Sequence, residues 1–212
     1  MEKFFDSNNP VMRFLSRLVD LAIVNILTVF TSVLLITAGG AITAMNHVLL
    51  HLVREDETYI TKMFWTSFKA NFKQGTAIWL IYIAYVGVGI ADFCALRVLG
   101  VPDASLLGSL SKLFFLPAIL TLPWVFAFLS RFENTVKGTL KFVGYLTLRH
   151  FGRTLLLVAL LGGCAVVVWL LPILVWLLPA VCCLAMSYLI EPVFKAQTEN
   201  KEDGNDDPWY NE

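Results

Sequence analysis

Charge is scarce in this chain. Asp, Glu, Lys and Arg make up 15% of its 212 residues, where soluble domains carry about a quarter. Hydrophobic residues make up 58%, and mean hydropathy is +0.71. That balance excludes an ordinary water-soluble domain and points to an integral membrane protein. Alternation of apolar and polar residues in strand-length units is also missing, which excludes a transmembrane β-barrel. The first apolar run lacks a small-residue cleavage site, so MEKFFDSNNPVMRFLSRLVD leads into a retained helix and is not a signal peptide. The four cysteines, Cys94, Cys164, Cys182 and Cys183, all sit in apolar runs. Their spacing gives neither a disulfide framework nor a zinc site, and they read as small packing residues. No Ser–His, paired-aspartate or zinc-protease motif is present. The expectation is a non-enzymatic protein with no catalytic or metal residues and no cofactor. Nucleic acid is not among the expected partners.

What the chain does have is a series of apolar runs near the ~20 residues that a helix needs to cross a bilayer. The reading is an all-α integral membrane protein, one domain over residues 1–195. Its six membrane segments fall at about 18–36, 41–53, 75–96, 110–130, 152–170 and 173–190, with amphipathic cytoplasmic elbow helices at 58–74 and 132–146. Residues 196–212 form an acidic tail, expected to be disordered. The small-residue run TAGGAITA places a helical hairpin at Gly39-Gly40. Glycine permits a tight turn there, and small side chains also let helices approach closely. The return leg 41–53 is short for a full crossing and is expected to be tilted or partly re-entrant. Gly100–Ser111 reads as an external loop with a turn at Pro102-Asp103. Pro117 and Pro123 are expected to kink the helix that follows. The uncharged stretch Thr154–Ile190 is too long for one helix, and must fold back, most simply at Leu171-Pro172.

The stretch Tyr59–Gln74, YITKMFWTSFKANFKQ, is helix-periodic. Ile60, Phe64, Phe68 and Phe72 recur every fourth residue, and Lys62, Lys69 and Lys73 gather on the opposite side. That pattern suits a helix at the headgroup level with its lysines toward water and anionic lipid. Ser67, Asn71 and Gln74 fall within the apolar arc, where contact with hydrocarbon would be costly. They are expected to pack against protein, either the chain's own helix ends or a partner.

Polar residues inside the apolar runs are few. Asp20 lies near the start of the first segment, close to Arg17. Asn25 is deeper, where an interhelical hydrogen bond would explain it. Asp92 and Arg97 sit near the outer end of the third segment and either pair or solvate separately. An acid within a membrane segment is a functional-site candidate, so Asp20, Asn25 and Asp92 are singled out. His47 and His51 share a helix face, but no acid completes a metal site at the expected spacing within that leg.

The basic residues set the orientation. With both termini and both elbows inside, Lys3, Arg13, Arg17, Arg54, Lys62, Lys69, Lys73, Arg131, Lys137, Lys141, Arg149, Arg153, Lys195 and Lys201 are cytoplasmic. Only Arg97 and Lys112 remain outside, so the positive-inside rule is obeyed. It requires an even number of crossings before each basic segment, which independently calls for the hairpin.

The order SNNP…RFLSRLVDLAIVN, TAGGAITAM, LVREDETYI, FWTSFKANFKQGT, FLSRFENTVKGTLKFV and SYLIEPVFK resembles the YesL-type membrane proteins, a family of unknown function. The resemblance covers about residues 4–195. Typical members carry a proline shortly before the threonine of the hairpin, where this chain has Leu34. The resemblance implies a multi-pass protein of the bacterial cytoplasmic membrane, often encoded near carbohydrate ABC importers. It supplies no catalytic residues. The expected function is that of an accessory subunit contacting a sugar ABC permease or ATPase, through Ser67, Asn71, Gln74, Phe68, Phe72 and the three lysines. The alternative is a small solute transporter or channel lined by Asp20, Asn25, Thr28 and Asp92.

Overall fold

In the computed structural model, residues 10–33, 35–53, 59–102, 105–132 and 134–202 are described, with side chains from 15 to 197. The Ser7–Asn9 lead, the side chain of Arg13, Leu34, Arg54–Glu57, Asp103, Glu133 and the tail from 203 onward lie outside the described residues. The described chain is all helical, in eight α-helices with two short 3-10 turns. Six helical stretches are long and apolar enough to cross a membrane, and the protein is a multi-pass helical bundle.

Helix α1 runs Pro10–Ser32. Proline suits the first turn because its missing N–H would have no helical partner there. A 3-10 turn at Leu35–Thr37 leads into α2, Ala38–Val53. The reversal therefore precedes Gly39-Gly40, which lie inside α2. Their role is close approach. A Cβ on Gly39 would stand 2.2 Å from the Gly75 carbonyl oxygen and 2.6 Å from Trp79 Cβ, and one on Gly75 would reach 3.0 Å from the Gly40 nitrogen. Backbone meets backbone at this crossing. The Trp79 indole N–H donates to the Leu35 carbonyl at 2.8 Å and ties the reversal to α3.

Helix α3 is continuous from Ile60 to Val98, 39 residues, or about 58 Å at the helical rise. The separate elbow at 58–74 is thus corrected: it is the N-terminal part of the same helix. Glycine at 75 reads as a break, but the α2 backbone seated on it compensates for its weak helix propensity. After Gly100, at φ +70°, the expected loop contains a helix, α4, Leu106–Leu113, whose cap Ser105 accepts from the Gly108 N–H at 3.1 Å. A two-residue step separates it from α5, Leu116–Leu129. Pro117 falls in the first turn of α5 and opens that helix where a kink was expected, and only Pro123 is interior.

Helix α6, Val136–Arg149, begins four residues later than expected. Thr135 caps it, accepting from the Gly138 N–H at 3.2 Å. Its buried face is Thr139, Phe142, Val143, Leu146 and Thr147, the i, i+3, i+4, i+7, i+8 set of one helix side. Helix α7 spans Phe151–Leu170 and the chain folds back at Leu171-Pro172, as its length demands. After a 3-10 turn at Pro172–Trp176, α8 runs Leu178–Glu202. It passes through Pro192 and includes residues expected to belong to a disordered tail.

The most buried segment is Leu35–Val53, at 61%, against 39% or less in the other five. α2 contacts α3 most extensively, and also α1, α5 and α8. It links two core clusters. Leu50 belongs to the one built on Trp124–Leu129, Phe142, Leu146, Ile190 and Phe194. Ala44, Met45, Val48 and Leu49 belong to the one with Leu21, Val24, Phe64 and Ala180. α2 itself has 16 residues, and with the 3-10 turn before it the apolar stretch Leu35–Val53 reaches 19. Thr154 on α7 ties its helix to α5 and α6: its hydroxyl accepts from the Trp124 indole at 3.0 Å and lies 3.2 Å from the Thr147 carbonyl.

Candidate functional site

Three polar regions remain after packing is accounted for. The first is the N-terminal half of α3. Phe64 and Ser67 are buried, and Phe68, Asn71 and Gln74 are partly buried. These positions follow the side of the helix that ends at Gly75, where α2 sits. Phe68 lies 3.4 Å from where a Gly40 Cβ would stand. The Asn71 amide donates to the Ser67 carbonyl at 3.1 Å, and the Gln74 amide donates to the Asn134 carbonyl. Protein therefore faces the amide line, and that protein is the chain's own. What α3 leaves outward is Lys62, Trp65, Lys69, Phe72 and Lys73. Phe64, Trp65, Phe68 and Phe72 form a run of ring contacts along the helix, 5.4–6.2 Å between centroids.

The second region lies where α2, α5 and α8 meet. His47 Nδ1 is 2.8 Å from the Ser130 carbonyl. A carbonyl can only accept, so this nitrogen carries the proton. The His47 and His51 rings are 4.7 Å apart. No group of three or more metal-ligating side chains forms among the described residues. The Arg131 guanidinium donates to Glu191 at 2.9 Å, with both side chains largely buried. It also lies over the rings of Phe132 and Phe194, at 5.6 and 5.7 Å. The sequence gives no sign of this pair, because 60 residues separate its members.

The third region is the C-terminal end of α3. Val88, Gly89, Asp92 and Leu96 form one helix stripe, and Leu107, Leu110, Ser111 and Phe114 form the facing stripe on and just after α4. Together they line a cleft of about 340 Å³. Gly89 lets the helices close: a Cβ there would lie 2.8 Å from the Phe115 ring and 2.9 Å from that of Phe114. Phe114 stacks on Tyr85 at 4.3 Å, and the Tyr85 hydroxyl donates to the Phe114 carbonyl at 2.6 Å. Ser111 is 4% exposed, and its hydroxyl has no hydrogen-bond partner among the described residues. The Arg97 guanidinium lies over Phe93, 4.8 Å from the ring centre. Sequence reasoning picked out Asp92 and missed Ser111, whose only signal is its place on the 107–110–111–114 stripe.

Asn25 and Thr28 on α1 are hydrogen-bonded within the chain. The Asn25 amide donates to the Val175 carbonyl at 2.7 Å, inside the 3-10 turn between α7 and α8. The Thr28 hydroxyl donates to its own helix at the Val24 carbonyl, 2.8 Å. Asp20 is partly exposed on α1. Asp20 and Asn25 lie on α1 and Asp92 on α3, and among the described residues no hydrogen bond or ion pair joins them.

Known proteins add one finding. A family model described as "Protein of unknown function, DUF624" matches residues 21–93. That span holds most of α1, all of α2 and nearly all of α3, and the match is consistent with the resemblance to YesL-type proteins. No curated protein and no solved structure matches the chain.

Proposed function

We propose that this protein is a non-enzymatic interaction subunit of a bacterial membrane assembly, and that its partner is the permease or ATPase of a carbohydrate ABC importer. The observation that carries the reading is the outward face of the N-terminal half of α3. There Lys62, Lys69 and Lys73 alternate with Trp65 and Phe72, while the other side of the helix is fixed by backbone contact with α2. A rigid helix presenting aromatic residues and fixed positive charge suits a protein partner with an acidic, partly apolar groove, since aromatic anchors supply contact area and charge sets orientation. The choice of an importer rests on the YesL-type resemblance. A transporter would need a polar path, and Asn25 and Thr28 each satisfy their hydrogen bonds within the bundle.

The test is affinity purification of the tagged protein from its own membranes in mild detergent. Permease or ATPase subunits should co-purify with the native chain and be lost, at least tenfold, from the Lys62→Glu, Lys69→Glu, Lys73→Glu triple variant. Recovery of the bare protein, or undiminished recovery of the partner with the variant, contradicts the proposal.

A further inference from the structure

A narrow crevice lies between α3 and α5. Ile81, Tyr82 and Tyr85 form one wall and Pro117, Ala118 and Thr121 the other, with Leu140 of α6 completing the lining. Each wall is an i, i+1, i+4 stripe of its helix, so the crevice follows the helix axes. Its volume is about 160 Å³. That is small for a drug-sized ligand and close to the ~150 Å³ of a dry apolar cavity that admits benzene. The three hydroxyls on the walls are already committed. Thr121 donates to the Pro117 carbonyl at 2.7 Å. Its oxygen then accepts from the Tyr82 hydroxyl at 2.6 Å. The Tyr85 hydroxyl donates to the Phe114 carbonyl. A polar occupant would give up hydrogen bonds to water and find no donor in return. Hydrocarbon gives up none. Both walls belong to stretches apolar enough to cross a membrane, and Ile81 on the rim is 44% exposed.

Charge lies at the α6 side of this crevice. Helix α6 joins two apolar stretches, Leu106–Leu129 and Phe151–Leu170, and so lies at one face of the membrane. Lys137 is one turn before Leu140 and Lys141 is next to it; both lysines are exposed. α6 contains no acidic residue. We propose that the crevice and these two lysines form a site for one anionic phospholipid of the leaflet on the α6 side. A stretch of acyl chain lies between α3 and α5, and the headgroup phosphate meets Lys137 and Lys141. A zwitterionic lipid of the same chain length would fill the crevice equally well but lacks the net negative charge. The site is separate from the importer-docking face on the first half of α3.

The experiment titrates the full chain in detergent with phosphatidylglycerol or phosphatidylcholine of identical acyl chains, read by native mass spectrometry. Saturable binding of one lipid is expected, at least tenfold tighter for phosphatidylglycerol, since each basic residue near the headgroup contributes roughly fivefold. The Lys137→Glu, Lys141→Glu double variant should bring the ratio of the two lipids close to one and leave phosphatidylcholine binding unchanged. Ile81→Trp, which fills the crevice from its exposed rim, should weaken both lipids at least fivefold. The Lys62→Glu, Lys69→Glu, Lys73→Glu triple variant should keep the native ratio, which separates this site from the docking face. All these substitutions are at surface or rim positions, and circular dichroism checks that each variant is folded. Equal binding of the two lipids by the native chain overturns the proposal. So does a preference that survives in the α6 double variant, or undiminished binding by folded Ile81→Trp.

Discussion

Single atoms decide how tightly this bundle closes. At Gly39 the space for a methyl group is occupied by the carbonyl of Gly75 and the Cβ of Trp79, neither of which can rotate away. Gly39→Ala must therefore push α2 from α3. Overpacking of this kind typically costs ~1–3 kcal/mol, and a backbone clash belongs at the upper end. Gly87, on the same long helix, has nothing within 4 Å of its would-be Cβ. Gly87→Ala should be neutral or stabilising by up to ~1 kcal/mol, since alanine favours the helix. Unfolding of the two variants in detergent, followed by circular dichroism, checks the contrast. The sequence announces small residues at 37–44 but not which service they perform. Glycine allows both a turn and a close approach, and only the position of the partner backbone separates the two. Asn25 was legible as a hydrogen-bonding residue. Its partner was not, because the Val175 carbonyl is freed only when the chain breaks its helix after Leu170.

Among the elements, α3 is where composition misleads most. Its first half is amphipathic and its second half apolar, so a joint at Gly75 is the natural reading. The helix continues because α2 covers the join. The fold-back at Leu171 was legible for the opposite reason: length alone forbids a single helix there. The α6–α7 joint makes a pH prediction. His150 ends α6 and precedes α7, 6.4 Å from the Trp124 ring. Burial first, and then the charges of Arg153 and Arg149, hold its pKa below the ordinary 6.5. Between the depressed value and 6.5 the unfolded chain binds the proton more readily than the folded one. Stability should therefore rise as pH increases through that window and be lowest below it. A melting-temperature series from pH 5 to 8 should show this rise, and His150→Asn should flatten it.

For the molecule as a whole, the central claim is that α2 forms the buried axis of the bundle and turns the lysine-bearing side of α3 outward. Fold class and the presence of six apolar stretches long enough to cross a membrane were legible because hydropathy and length act locally. The burial ranking of the segments was not, because it depends on which faces meet. The residues proposed for docking divide accordingly. Ser67, Asn71 and Gln74 turn toward the chain itself, while Lys62, Lys69 and Lys73 stay at the surface.

Labelling single cysteines with a membrane-impermeant maleimide tests this division most directly. It is done at positions 67 and 69 in a background with Cys94, Cys164, Cys182 and Cys183 replaced by alanine, in right-side-out and inverted vesicles. The prediction is rapid modification of Lys69→Cys in inverted vesicles only, and protection of Ser67→Cys in both. Equal labelling at the two positions, or modification of position 69 from outside, would contradict it.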